Sequence, residues 1–261
     1  MQIPYLTGKI RERFDAWHEG NVERYAGELS FTEIRKGVQT LDRIYAHAPA
    51  SAAAYARCLD GRGKRGAQAC YFAAVHFMIA SHALEMLGTG IVTPAERLID
   101  LGCGTGATSA AIAANLDYPP QIVGIDRSAW ALDEARRTWS SFGLNSRTRR
   151  ANLPDTVPRG GLGDVLAAGW IVSELAAEER RALLLRLQAT LRKDGKIFVI
   201  QPFSPSLSPW WNEWADALAP WGVRDEVIRV SIQRPVWIQE MDTAAKLDHQ
   251  VLSARILAGP G

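Results

Sequence analysis

Residues 98–106 read Leu-Ile-Asp-Leu-Gly-Cys-Gly-Thr-Gly, and this stretch decides the fold. Its first four residues are mostly apolar, as in a buried strand. The three alternating glycines that follow are typical of a turn with positive φ angles or of a backbone that approaches a ligand closely. The alanine-rich segment Thr108–Asn115 comes next and predicts a helix. The start of a helix offers free N–H groups and a partial positive charge to an anionic group.

Strand-like and helical segments alternate from this stretch towards the carboxyl terminus. The strand-like runs are Arg97–Leu101, Gln121–Asp126, Arg147–Ala151, Asp164–Ala168 and Lys196–Ile200, and the further helical segments are Ser128–Ser141 and Ala177–Leu191. This alternation predicts an α/β fold with a parallel sheet that helices cover on both faces. Two last strand-like runs, Glu226–Gln233 and Gln250–Ala258, are separated only by a short, poorly helical segment. They predict an antiparallel addition to the edge of the sheet.

The amino-terminal third of the chain has no strand-like run. Four segments rich in Ala, Leu, Arg and Glu predict helices there, namely Gly8–Tyr25, Phe31–Ala46, Ser51–Cys58 and Gly66–Leu87. The sequence therefore divides into a helical cap over residues 1–92, which we expect to face the substrate, and a cofactor-binding domain over residues 93–261.

Composition excludes several classes of protein. The 261 residues carry a net charge of only +2, which argues against a strongly polyanion-binding protein. The three cysteines are scattered and have no metal-ligand spacing, so we predict neither disulfides nor a metal site. The apolar run that comes nearest to a membrane span, Gln68–Leu87, holds two histidines and a glutamate. No apolar segment of the signal-peptide type follows the first charges, and we expect a soluble, cytoplasmic protein.

The carboxylate of Asp100 decides between two cofactor classes. Gly102, Gly104 and Ala107 also satisfy a loose dinucleotide fingerprint, and Asp126 ends the next strand, where an acid suits a ribose diol. A carboxylate two residues before the first glycine repels a pyrophosphate but suits a ligand with an ammonium group. A nicotinamide-dependent oxidoreductase is therefore the weaker interpretation.

With these residues the chain resembles the class I S-adenosylmethionine (SAM)-dependent methyltransferases over residues 95–258. Asp100–Gly106 nearly repeats the first motif of that family, and Val123–Asp126 resembles the second. The resemblance implies a Rossmann-like seven-stranded sheet with a final antiparallel hairpin, a helical cap, and SAM as the cofactor, with S-adenosylhomocysteine as the product. It places cofactor contacts at Asp100, Gly102, Cys103, Gly104, Gly106, Asp126, Arg127, Asn152, Leu153, Gly169 and Trp170.

Three residues are candidates for acid–base chemistry. Glu174 follows the fourth strand, where it can serve as a base or hold the acceptor, or instead open the next helix. His76 is a base of suitable type near neutral pH, although a histidine among apolar residues is more often part of the core. Tyr71 has a spacing that lets it share a broad helix face with His76.

The acceptor of the methyl group stays open between two classes. A small molecule is favoured by the low net charge and by aromatic residues such as Trp210 and Trp214, which share a helix face and predict either an aromatic box or core packing. An RNA or the small ribosomal subunit is favoured by Arg62–Arg65, which we expect in a glycine-rich loop, and by residues 164–175. The latter resemble methyltransferase-like proteins of that subunit, although Gln201-Pro202 stands where Glu-Pro is usual. A SAM-binding assembly factor without catalysis is the third interpretation.

Overall fold

The structure is a computed structural model, and it describes residues 3–47, 57–154, 156–247 and 250–260. Three helices form most of the amino-terminal region: α1 (Gly8–Ala26), α2 (Phe31–His47) and α3 (Arg62–Leu87). A two-residue strand, β1 (Ile3–Pro4), precedes them. Most of the predicted helix at Ser51–Cys58 lies outside the described residues.

Seven strands form one twisted sheet, as the sequence predicts. They are β2 (Arg97–Leu101), β3 (Gln121–Asp126), β4 (Ser146–Arg150), β5 (Asp164–Gly169), β6 (Lys196–Pro202), β7 (Arg224–Val230) and β9 (Leu252–Gly259). Their order is β4-β3-β2-β5-β6-β9-β7, and β9 runs antiparallel to both of its neighbours. The Rossmann-like sheet with a final antiparallel hairpin is thereby confirmed. A further short strand, β8 (Ile232–Gln233), pairs with β1 outside this sheet.

The helices between the strands follow from local sequence signals. They are α4 (Ala107–Ala114), α5 (Ala129–Ser141), α6 (Ala177–Leu191), α7 (Trp211–Leu218) and α8 (Val236–Ala245). Ser128 caps α5 by accepting a hydrogen bond from the backbone N–H of Ala131 at 3.3 Å. The apolar central strands β5 and β6 are buried, whereas β4, at the edge, is charged and exposed, which protects an unpaired edge against pairing with other chains.

Two sequence predictions about local structure are wrong. The segment between the last two strands contains a regular helix, α8, because its apolar residues Ile238, Met241 and Ala245 recur at helical spacing and are buried. Arg62–Arg65 lies in the first turns of α3 rather than in a loop, despite its glycine. Both segments are helical because burial of an apolar face of each helix outweighs the weak helix propensity of the local sequence.

The helical region and the sheet share one apolar core. Helices α1 and α5 are joined by the Arg24–Glu134 ion pair and by the indole of Trp17, which donates to Thr138 Oγ1 at 3.2 Å. Residues of α1, α3, α4 and β2 belong to the same cluster of buried side chains. The predicted division into residues 1–92 and 93–261 stays a prediction.

Helix α3 is long and apolar enough to cross a membrane by length and composition alone. In the structure, 78% of its most apolar window is buried inside the protein, where it packs along α4. Its apolarity is therefore explained by its central place in the core. The cytoplasmic location stays a prediction.

Trp139 of α5 supports the glycine-rich turn from below. Its indole N–H lies 3.1 Å from the carbonyl oxygen of Gly106 and 3.0 Å from Ser109 Oγ, and the ring is fully buried. A Cβ added at Gly124 of β3 would lie 2.2 Å from Trp139 Cη2. The ring therefore needs a glycine at this position of the strand.

We predict that Gly124→Ala lowers the free energy of unfolding by about 2 kcal/mol or more, because the added methyl group overpacks the site. The matched control is Gly20→Ala on α1, where a Cβ meets nothing within 4 Å, and we expect it to be neutral or to stabilise by up to about 1 kcal/mol. Chemical denaturation measures both values. Equal stability of the two variants would contradict the packing described here.

Candidate active site

The turn between β2 and α4 has one open face and two packed ones. Gly102, Gly104 and Gly106 have φ angles of +66°, +51° and +74°. A Cβ at Gly102 would lie 2.4 Å from Ile171, and a Cβ at Gly106 would lie 2.8 Å from Trp139. At Gly104 a Cβ would meet no atom of the described residues within 4 Å. The backbone at Gly104 is thus open to a ligand, while its neighbours are held by the core.

Asp126, at the end of β3, ties this turn to the start of α5. Its Oδ2 accepts a hydrogen bond from the backbone N–H of Gly104 at 3.0 Å, and its Oδ1 accepts one from Ser128 at 2.8 Å. Burial raises the pKa of this carboxyl, and the two N–H groups oppose the rise. Each carboxylate oxygen keeps a further lone pair, which suits the hydroxyl donors of a ribose.

Asp100 lies beneath the turn rather than at its surface. The carboxyl is buried, interacts with Ser109 of α4, and leaves its Oδ2 without a hydrogen-bond partner among the described residues. Burial raises its pKa to about 7. The sequence suggested a direct contact with an ammonium group, but Asp100 is not among the residues that line the neighbouring cavity.

A cavity of about 820 Å³ lies between the carboxyl ends of the strands and the helical region. This volume falls within the range of about 300–1,000 Å³ that is typical of small-molecule sites. The structure brings most of the predicted site residues to its wall, namely Gly102, Cys103, Gly104, Asp126, Arg127, Asn152, Leu153, Gly169, Trp170, Glu174, His76 and Tyr71. Gly106, like Asp100, stays outside the wall and shapes the turn.

His76 and Trp170 stack face to face across the cavity wall. Their ring centroids are 4.3 Å apart with an interplanar angle of 14°. Trp170 directly follows β5 and has a φ of +65°, an unusual angle for a bulky residue, and its backbone N–H is held by Ile200 O at 2.8 Å. Burial lowers the pKa of His76 to about 3. This burial disfavours a base that titrates near neutral pH, and the catalytic role of His76 stays a prediction.

Tyr71 is placed by the fold for packing rather than for proton transfer. Its hydroxyl donates a hydrogen bond to Asp242 of α8, which also pairs with Arg234. Burial raises the pKa of Tyr71 strongly, and the charge of Asp242 adds to the rise. This contact anchors α3 to α8, so the structure disfavours the catalytic role suggested from the sequence.

Glu174 keeps its place as a candidate for proton transfer. It ends a short 3₁₀ turn after β5 and lines the cavity. Burial raises its pKa to about 8, although Arg127 opposes the rise. The alternative interpretation, in which Glu174 opens the next helix, is not supported because Glu179 accepts the hydrogen bond from the N-cap N–H of α6 at 2.8 Å.

Two lining residues, Gln68 and Gln201, were missed by the sequence reasoning. Gln68 lines the cavity from a π-helical turn, Gln68–Phe72, within α3, and such turns often occur at functional sites. Gln201 lines the cavity at the end of β6, and the only signal in the sequence was an unusual ending of that strand. Local sequence carries no clear signal for a π turn, because the insertion is stabilised by tertiary packing.

The tryptophans of α7 form core, not an aromatic box. Trp210, Trp211 and Trp214 are buried in the apolar cluster on one face of the sheet, and none of them lines the cavity. The indole of Trp211 donates to Asp225 at 2.9 Å. Their helical spacing thus serves the packing of α7 on the sheet.

The charged residues around the cavity are predominantly acidic. The described part of the lining contains five carboxylic acids and two arginines: Asp42, Asp60, Asp126, Glu174, Glu179, Arg65 and Arg127. Among the described residues, no group of three or more His, Cys, Asp or Glu side chains is arranged to hold a metal ion. The cavity therefore favours a ligand with positive charge.

Residues 98–195 match the model of a family described as a methyltransferase domain. This stretch contains the glycine-rich turn, Asp126 and Glu174. Residues 98–195 are therefore a methyltransferase domain.

The curated proteins to which the chain is similar include two carboxy-S-adenosyl-L-methionine synthases. The protein of Aliivibrio fischeri is 25% identical over 129 residues, and that of Vibrio cholerae is 26% identical over 129 residues. Each alignment covers 46% of this chain and 50% of the relative. The chain thus spans about half the length of the curated relatives it matches.

Solved structures share the fold of the methyltransferase. A putative O-methyltransferase from Nostoc punctiforme has a TM-score of 0.50 and 14% identity, with 74% of this chain and 58% of that chain covered. A magnesium protoporphyrin IX methyltransferase from Synechocystis, solved with bound S-adenosylhomocysteine, has a TM-score of 0.45 and 14% identity, with 70% and 82% covered.

The cofactor of the methyltransferase is SAM, and the residues present fit it. The open backbone at Gly104, the free lone pairs of Asp126 and the acidic lining suit the adenosine and the positive charges of this molecule. Gly104, Asp126 and Asn152 are the residues that we predict to hold it.

We predict that Gly104→Ala weakens SAM binding by about tenfold or more, because the new methyl group projects into the cavity. The matched control is Gly143→Ala, which has a similar φ of +67° and equally open surroundings but does not line the cavity. Both variants carry a similar backbone strain, so the difference between their SAM affinities, measured by isothermal titration calorimetry, reports the contact between residue 104 and SAM. Similar affinities for the two variants would refute the placement of SAM.

We also predict that the pH dependence of SAM affinity differs between wild type and Glu174→Gln. A cation close to Glu174 favours its charged form, so the carboxyl loses a proton on binding and the wild-type affinity rises as the pH increases through about 8. The ligand's own amino group titrates nearby but equally for both proteins. We expect the wild-type-to-variant affinity ratio to rise by about tenfold between about pH 6 and about pH 9. Parallel calorimetric profiles would show that Glu174 does not sense the cation.

Proposed function

We propose that the protein transfers the methyl group of SAM to a small molecule inside the cavity. The observation that carries this proposal is the extent and charge of the cavity. It continues from the glycine-rich turn to a wall formed by α2 and α3, and its lining is acidic and aromatic. A concave site of this volume suits a compact acceptor.

The residues of the cavity account for the chemistry that such a transfer requires. SAM supplies an activated methyl group whose leaving group is a neutral thioether, so positioning and exclusion of water provide most of the rate. The stacked rings of His76 and Trp170 form an apolar wall. Glu174, with a pKa of about 8, takes up a proton when the acceptor must lose one, since a pKa near the working pH suits general acid–base catalysis.

Because the curated relatives are carboxy-S-adenosyl-L-methionine synthases, the cavity can be compared for SAM and for carboxy-SAM as ligands. A carboxyl group added to SAM would place a further negative charge in a wall whose described residues include, apart from Glu174 with its pKa of about 8, four carboxylic acids and two arginines. This charge balance favours SAM itself over carboxy-SAM in the cavity.

The structure offers little support for an RNA acceptor. The basic residues of Arg62–Arg65 are engaged with the protein: Arg62 pairs with Glu28, Lys64 contacts Arg57 O, and Arg65 donates to Leu59 O at 2.9 Å. Phosphate binding would have to break these contacts next to an acidic cavity. An RNA methyltransferase and a non-catalytic SAM-binding assembly factor are therefore the alternatives.

A labelling experiment separates the three functions. Purified protein is incubated with methyl-labelled SAM and with either the low-molecular-mass fraction of a cell extract or the RNA of the same extract. We expect label in small molecules with the wild type and with Gly143→Ala, and a loss of at least about tenfold with Gly104→Ala. Label only in RNA would support the RNA methyltransferase. Binding of SAM without transfer to either fraction would support the assembly factor.

A further inference from the structure

The side-chain amide of Gln201 lies in the cavity wall and is only partly hydrogen-bonded. The side chain is fully buried and lines the cavity at the carboxyl end of β6. Its Oε1 accepts a hydrogen bond from Ser173 Oγ at 3.2 Å. Its Nε2 has no hydrogen-bond partner among the described residues. Because buried amide groups are nearly always paired, a lone donor at a cavity wall indicates a partner that arrives with the ligand.

Trp170 supplies a second free donor in the wall of the cavity. Gly169 pairs with Ile200 in the sheet, so Trp170 and Gln201 follow neighbouring positions of β5 and β6 and both line the cavity. The indole Nε1 of Trp170 is also buried and lacks a partner within the described part of the chain. An indole N–H only donates, so the cavity wall calls for an atom that accepts hydrogen bonds.

The cavity has a flat, aromatic wall around Trp170. His76 stacks on Trp170, Phe72 lies 6.3 Å from His76, and Tyr45 meets Phe72 edge-on at 5.2 Å, all between ring centroids. These four residues all line the cavity. Such surfaces favour a planar molecule, since aromatic rings pack face to face or edge to face.

The charge of the lining narrows the class of acceptor further. Glu174 is the acidic residue next to Ser173 in sequence, and Ser173 donates the hydrogen bond to Gln201. Arg65 and Arg127 are the two basic residues of the wall. Arg65 already donates to Leu59 O and lies over the Trp130 ring. A carboxylate would meet more negative than positive charge here, whereas a neutral carbonyl oxygen accepts the same hydrogen bonds without that cost.

We propose that the acceptor is a planar, uncharged molecule with a carbonyl-type oxygen, and that Gln201 Nε2 donates a hydrogen bond to this oxygen. Gln201 thereby determines specificity, and Trp170 is the second free donor of the cavity wall. The inference rests on the proposed transfer to a small molecule and names the class of that acceptor.

Binding of matched probes to the protein saturated with S-adenosylhomocysteine tests this inference. The probes are acetophenone, its isosteric hydrocarbon α-methylstyrene, and benzoate. We expect ligand-observed NMR titration to show that acetophenone binds about tenfold more tightly than either of the others, because one unpaired buried donor gains its partner. The variant Gln201→Met keeps the side-chain length but removes the donor, and we expect the preference over the hydrocarbon to disappear.

The control is Gln239→Met, an exposed position on α8 outside the cavity wall, which should keep the preference. Four results would each overturn the inference. The wild type could bind ketone and hydrocarbon equally, or bind benzoate more tightly than acetophenone, or not bind acetophenone. The fourth is a Gln201→Met variant that keeps the wild-type preference for the ketone. Calorimetry with S-adenosylhomocysteine on every variant separates failure of the inference from failure of the proposed function. If S-adenosylhomocysteine binds but the ketone preference is missing, only the inference fails. If S-adenosylhomocysteine does not bind the wild type, the proposed function falls and the inference falls with it.

Discussion

The hydrogen bonds of the Asp126 carboxylate organise the site on which the remaining arguments depend. One oxygen holds the backbone of Gly104, and the other holds Ser128 at the start of α5. Helix α5 in turn carries Trp139, which fills the space beneath the turn and requires glycines at positions 106 and 124. The turn is therefore fixed from two sides and keeps only the Gly104 face open. A rigid backbone of this kind lets a cofactor bind without first ordering the loop.

The sheet and the cofactor turn could be predicted from the sequence because their signals are local. The run at residues 98–106 contains a buried strand, three glycines and a helix start within nine residues. The positions of β2 and β3 follow from apolar runs that need no knowledge of distant contacts. Asp126 was found for the same reason, since it ends a strand whose place beside β2 is set by topology.

The acid–base roles could not be predicted, because they depend on what surrounds each side chain. His76 looked like a base, but burial against Trp170 lowers its pKa to about 3. Tyr71 contacts Asp242, which lies 171 residues away in sequence. The role of Gln201 depends on its hydrogen bond with Ser173 and on its place in the cavity wall, and neither can be read from the sequence. Such properties come from long-range packing, and single-sequence patterns do not encode them.

The most direct measurement is a crystal structure of the protein with S-adenosylhomocysteine. The account predicts that the ligand lies over Gly104, with its ribose hydroxyls on the Asp126 carboxylate and its sulfur towards Trp170, and that the corner at Gln201 stays free for the acceptor. Binding at another place, or a ribose without contact to Asp126, would contradict the assignment of the cavity as the methyl-transfer site.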